Sequence, residues 1–129
     1  MLSFAYVAVG GAIGSVARFW MAGAVARLTG AGFPWGTILI NILGSFAIGW
    51  FAGLSFTRQP PSADLRAFVM AGLCGGFTTF SAFSLQTLEL LRQGRVVAAG
   101  ANVLVSVLVC VLVTGAGFAI GAGFAIGRG

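Results

Sequence analysis

Long stretches without any charged residue constrain this chain more than any other property. Residues 28–57, 67–88 and 96–127 carry no Asp, Glu, Lys or Arg, and only Arg18 separates the uncharged runs 1–17 and 19–26. A backbone in lipid must satisfy its own N–H and C=O groups. An α-helix does so within one segment, and about 20 apolar residues cross the hydrocarbon core. Punctuation between the runs sets the number of crossings: Gly30, Gly32 and Pro34 mark one turn, Pro60, Pro61 and Ser62 a second, and Gln93-Gly94 a third. The expected spans are about 4–27, 35–56, 65–91 and 95–118. They predict an all-α, multi-pass integral membrane protein, one four-helix domain over 1–129 without room for a separate soluble unit. Asp64 near the start of the third helix and Arg92 near its end agree with the helix dipole. Ala24-Val25-Ala26 resembles a leader cleavage site, but no basic residue precedes the first apolar run and Arg18 interrupts it, so the segment reads as a span.

The charges also bound the function. Net charge is +5 on 129 residues of which 7% are charged. All seven basic residues are Arg, scattered singly, so no nucleic acid partner is expected. Without His, and without paired carboxylates, the chain reads as a non-enzyme. Cys74 and Cys110 lie in apolar runs and no disulfide is expected. With four spans, Arg58, Arg66 and Arg128 fall on one side of the membrane and Arg27, Arg92 and Arg95 on the other. This even split gives the positive-inside rule nothing to act on. Dual topology with antiparallel pairing is the sharper reading, a weakly biased single orientation the plainer one.

Polar residues recur at helical spacing inside two spans: Thr37, Asn41 and Ser45 in the second, and Asn102, Ser106, Cys110 and Thr114 in the fourth. Such stripes either line a path or bond helix to helix, and the residues alone do not choose. Gly36, Gly44, Gly49 and Gly53 fit close helix packing in either case. The third span is the unusual one. Its run Gly75-Gly76-Phe77-Thr78-Thr79-Phe80-Ser81-Ala82-Phe83-Ser84 predicts a break near the bilayer midplane, where freed backbone groups need protein, ion or water as partners. Phe77, Phe80 and Phe83 alternate there with hydroxyl residues, and the positive edge of an aromatic ring favours an anion. Arg18, inside the first span, reads as a bundle-facing structural charge or as an anion-attracting mouth residue. Gly-Ala-Gly-Phe-Ala-Ile, repeated at 115–120 and 121–126, has a period that keeps no helix face. It reads as a tolerated lengthening of the last helix.

The third-span run 75–84, with Gly10-Gly11-Ala12-Ile13-Gly14-Ser15-Val16-Ala17-Arg18 in the first span and Gly36-Thr37 and Asn41-Ile42-Leu43-Gly44-Ser45-Phe46 in the second, resembles the motifs of the Fluc (CrcB-type) fluoride channels. The resemblance covers nearly the whole chain, and only the C-terminal repeat falls outside it. It implies an antiparallel dual-topology homodimer in the plasma (inner) membrane, surrounded by lipid, with two pores that pass fluoride out of the cell and protect it from fluoride toxicity. It implies a structural Na⁺ held by the backbone carbonyls of Gly75 and Thr78. It places Phe80 and Phe83 on the fluoride path, with Asn41 and Ser106 as neutral donors and Arg18 at a vestibule. Thr37 from the second-span stripe and Thr79 beside the ring edges read as further path residues. Gln86 stands where a Glu often follows that family's Phe–Ser motif, and Asn102 where some members have Tyr. The alternative, a small multidrug-type proton-coupled exporter, needs an acidic residue inside a span. Residues 1–63 contain none, and Glu89 sits at a span edge.

Overall fold

The computed structural model describes residues 2–56 and 60–127. Helix α1 runs over Leu2–Thr29 and α2 over Trp35–Leu54, with the turn between them closed by Gly30 at φ +74°. The third crossing is composite: α3 (Ala63–Arg66), a π-helical stretch (Ala67–Cys74), α4 (Gly75–Phe77), an interruption at Thr78–Thr79, and α5 (Phe80–Arg92). Helix α6 spans Val96–Ile126. Among the described residues four segments are long and apolar enough to cross a membrane, and there is no strand. The fourth helix passes the expected end at 118 and continues to Ile126. Its 31 residues reach about 46 Å at 1.5 Å per residue, more than a ~30 Å hydrocarbon core needs.

Local chemistry sets the helix ends. Ser62 caps α3, its hydroxyl accepting from the Leu65 N–H at 3.2 Å, and Asp64 occupies the first turn. Asp64 also accepts from the Ser3 hydroxyl at 2.8 Å, tying the start of α1 to the start of the third crossing. At the other end of α5, Gly94 takes φ +73°. The N–H groups of Gly94 and Arg95 return to the carbonyls of Leu91 and Leu90. Arg66 therefore lies at one end of the bundle and Arg27, Arg92 and Arg95 at the other, while Arg58 and Arg128 lie outside the described residues.

Backbones approach closely where glycines remove side chains, as expected when lipid supplies no hydrophobic drive for helices to associate. Gly49 and Gly53 of α2 rest on the backbone of Thr114 and Phe118, and Gly117 and Gly121 of α6 rest in turn on that of Phe46 and Trp50. A Cβ at Gly117 would stand 2.5 Å from the Phe46 carbonyl oxygen. Gly10 and Gly14 of α1 face the third crossing, where Gly72 and Gly76 face back. One expectation is corrected here. The hexapeptide repeat does contribute to packing, because Gly117 from the first copy and Gly121 from the second are four residues apart and share the α2-facing side. Gly115 and Gly123 meet nothing.

Candidate functional site: an interrupted helix beside a polar groove

The interruption falls at the middle of the 30-residue third crossing, two residues beyond the glycine pair. Gly75 and Gly76 remain helical, and the chain first leaves the helix at Thr78 (φ −79°, ψ 160°) and Thr79 (φ −152°, ψ 114°). A remote side chain fixes this position. Asn41 of α2 accepts the Thr79 N–H at 2.8 Å and donates Nδ2–H to the Thr79 carbonyl at 3.1 Å. One amide thus answers both polar groups of one extended residue, as a neighbouring strand would. Before the break, the Gly75 N–H reaches back five residues to the Met70 carbonyl. Such π turns are rare and tend to accompany functional sites.

Breaking the helix leaves the carbonyls before it without their i+4 donors. The Thr79 N–H that would serve Gly75 goes to Asn41 instead. The Gly76 carbonyl receives the Ser15 hydroxyl at 3.5 Å, and the Thr78 carbonyl receives Arg18 Nη1 at 3.3 Å. Arg18 therefore points at the interruption from α1, which is the bundle-facing placement. The Thr78 hydroxyl bonds back to the Cys74 carbonyl at 2.9 Å. Thr79 starts the next helix: its Oγ1 accepts the Ala82 N–H at 3.1 Å and lies 3.2 Å from Ser81 Oγ.

Beside the break lies a groove of about 270 Å³. Asn41, Ser45, Thr78, Thr79, Phe80, Phe83, Ser106 and Cys110 line it, together with Val107 and Val111, and none of these is charged. The two phenyl rings are tilted at 47° with centroids 5.3 Å apart. Phe83 is 8% exposed and Phe80 77%, so one ring is fixed in the bundle and the other stands on its face. Both polar stripes contribute, through Asn41 and Ser45 from α2 and Ser106 and Cys110 from α6. Thr114 turns away to the Cys110 carbonyl. Thr37 is buried outside this groove. It lines a second cavity of about 250 Å³ with Gln86, Glu89 and Arg95, where the buried Gln86 Oε1 has no partner and Arg95 Nη1 donates to the Gly32 carbonyl. Both cysteines are free.

Thr87 has a role that the sequence reading missed. Its hydroxyl donates to the Phe83 carbonyl at 2.7 Å and accepts Nδ2–H of the fully buried Asn102 at 2.8 Å. The spacing of Thr87 and Phe83, four apart, carried a weak signal. The bond to Asn102 depends on how α5 crosses α6 and had none.

Fold and groove together define a small multi-pass membrane protein built around an interrupted helix, with a neutral polar groove at that interruption. Residues 5–118 match the family model described as CrcB-like protein, Camphor Resistance (CrcB). The chain is 50% identical to the fluoride-specific ion channel FluC of Methylocella silvestris over 130 residues, covering 99% of each chain. It is 50% identical to the FluC of Opitutus terrae over 91% of this chain and 90% of that one. To the FluC of Rhodospirillum rubrum it is 49% identical over 86% of this chain and 88% of that one. The chain belongs to the CrcB-like family.

Proposed function

We propose that this chain is a fluoride-specific ion channel, a passive pore and not an enzyme. The observation that carries the reading is the uncharged groove at the Thr78–Thr79 interruption, taken with relatives at about half identity that are named fluoride channels. Fluoride is small and tightly hydrated, so a pore must replace water with several weak donors and still let the ion leave. Ser45, Ser106 and the second amide hydrogen of Asn41 are neutral donors, and the edges of Phe80 and Phe83 add partial positive charge. The inside-negative membrane potential then drives the anion outward, which removes fluoride released in the cell by entering hydrogen fluoride. A proton-coupled exporter would need an acid in a span. Among the described residues the two acids stand near the ends of the third crossing, Asp64 and Glu89.

The same reading extends to assembly. Gly75, Ser81 and Ser84 are exposed at or just past mid-crossing, where polar groups facing lipid are costly, and the Phe80 ring stands exposed among them. A second copy, inserted in the opposite sense in the inner membrane, would cover them and complete each pore. The carbonyl chemistry fits a structural Na⁺ in that dimer: uncharged oxygens suit a hard cation, Gly75 lacks its helical donor, and Thr78 keeps a lone pair beside Arg18. Such an ion would hold the paired interruptions together; it takes no part in moving fluoride. Liposomes loaded with fluoride and carrying the purified chain should release it when a potassium ionophore completes the circuit, and should retain chloride. Absence of fluoride release under those conditions refutes the channel reading.

A further inference from the structure

One hydrogen-bond chain in the bundle has a direction that chemistry alone settles. The Phe83 carbonyl can only accept, so the Thr87 hydroxyl at 2.7 Å must spend its single proton there. The Thr87 oxygen is then only an acceptor, and Asn102 must turn its NH₂ toward it, at 2.8 Å. That turns Asn102 Oδ1 toward Ser106, whose hydroxyl must be the donor, at 3.4 Å. Asn102 is 1% exposed and Ser106 5%, so bulk water does not replace either of these two partners. Ser106 lines the groove with Phe80 and Phe83. While its proton rests on Asn102, Ser106 shows the groove lone pairs, and it becomes a donor to an anion only by turning that proton away from Asn102.

We propose that Asn102, oriented by Thr87, is a positioning residue that sets how readily Ser106 gives its proton to fluoride. This rests on the channel reading above. The 3.4 Å bond is the longest of the chain and the one that opens. When Ser106 rotates its O–H to the ion, Asn102 Oδ1 is left buried without a donor, a cost that the fluoride contact must offset. Asn102 thereby weakens ion binding in the groove, in keeping with a site that an ion must leave.

The test is the fluoride dependence of flux in liposomes for Asn102→Leu and Thr87→Val, each alone and combined with Ser106→Ala. Asn102→Leu removes the competing acceptor. Thr87→Val removes the group that orients Asn102, freeing its amide to turn an N–H toward Ser106. Both should lower the half-saturating fluoride concentration by about two- to tenfold, the range of one modest buried hydrogen bond, without raising maximal flux. Neither should shift it in the Ser106→Ala background. A structural defect would lower maximal flux and leave half-saturation in place. Half-saturation that is unchanged or raised in the single variants, or a shift that persists without the Ser106 hydroxyl, overturns the proposal. Thr87→Val loses one oxygen for one methyl, so it decides the matter if Asn102→Leu does not assemble. Wild-type protein that passes no fluoride would instead refute the channel reading itself.

Discussion

Replacing Asn41 with Leu tests whether the interruption is held from outside its own helix. The side chain makes two hydrogen bonds to Thr79, at 2.8 and 3.1 Å. Polar contacts between membrane helices average about 0.6 kcal/mol each, so the pair sets a floor of about 1.2 kcal/mol. If Thr79 kept its extended shape, its N–H and C=O would be buried and unpaired, at about 1–3 kcal/mol each. A cheaper route exists, because the Thr79 N–H can return to the Gly75 carbonyl and straighten the helix. The expected result is therefore a loss of stability near the floor with a large loss of function. The thermal midpoint in detergent should fall by a few degrees, and fluoride efflux from liposomes should fall more than tenfold. Thr79→Val is the control, since it removes the cap to Ala82 and the contact with Ser81, costs about 1 kcal/mol and leaves both backbone bonds to Asn41. Asn41→Leu protein with wild-type efflux and a wild-type midpoint would refute the argument that this amide sustains the break.

Three further outcomes are expected. Gly117→Leu should prevent assembly, because even its Cβ would stand 2.5 Å from the Phe46 carbonyl oxygen and rigid backbone cannot yield; overpacking of this kind costs about 1–3 kcal/mol or more, read as loss of the monodisperse peak on size exclusion. Phe83→Ile and Phe80→Ile should each cut efflux about tenfold or more with assembly intact, and near-normal efflux from both would remove the ring-edge mechanism. Replacing Na⁺ with a large organic cation throughout purification and assay should reduce efflux and weaken self-association, whereas identical behaviour with and without Na⁺ would leave Gly75 and Thr78 no ion to hold.

The spans were legible because lipid leaves the backbone few options: uncharged runs bounded by Gly, Pro and Gln-Gly can only be crossing helices and turns. The presence of a break in the third crossing was legible for a similar reason, as Gly-Gly-Phe-Thr-Thr is a poor helix sequence. Its place near mid-crossing was legible too, but the particular residues were not, since glycines within a packed bundle can stay helical while the threonines beyond them yield to a partner supplied by Asn41, 38 residues earlier. The π turns over Ala67–Cys74 left no periodic trace, because that stretch is apolar on all sides. The polar stripes were legible as stripes, yet their division between two cavities reflects helix crossings that one sequence does not encode locally. The bond from Asn102 to Thr87 was invisible for the same reason. Asn102 lies on the next helix, and only the packed bundle makes the two neighbours.

The pairing of Asn41 with Thr79 has a consequence for the order in which the protein is made. The third crossing cannot hold its interrupted shape by itself, since the groups exposed at Thr79 are answered from α2. During synthesis the N-terminal segments emerge first, so α2 is already made when residue 79 leaves the ribosome. The mould thus precedes the casting. Circular permutation that moved α2 behind the third crossing would reverse that order while keeping every native contact available.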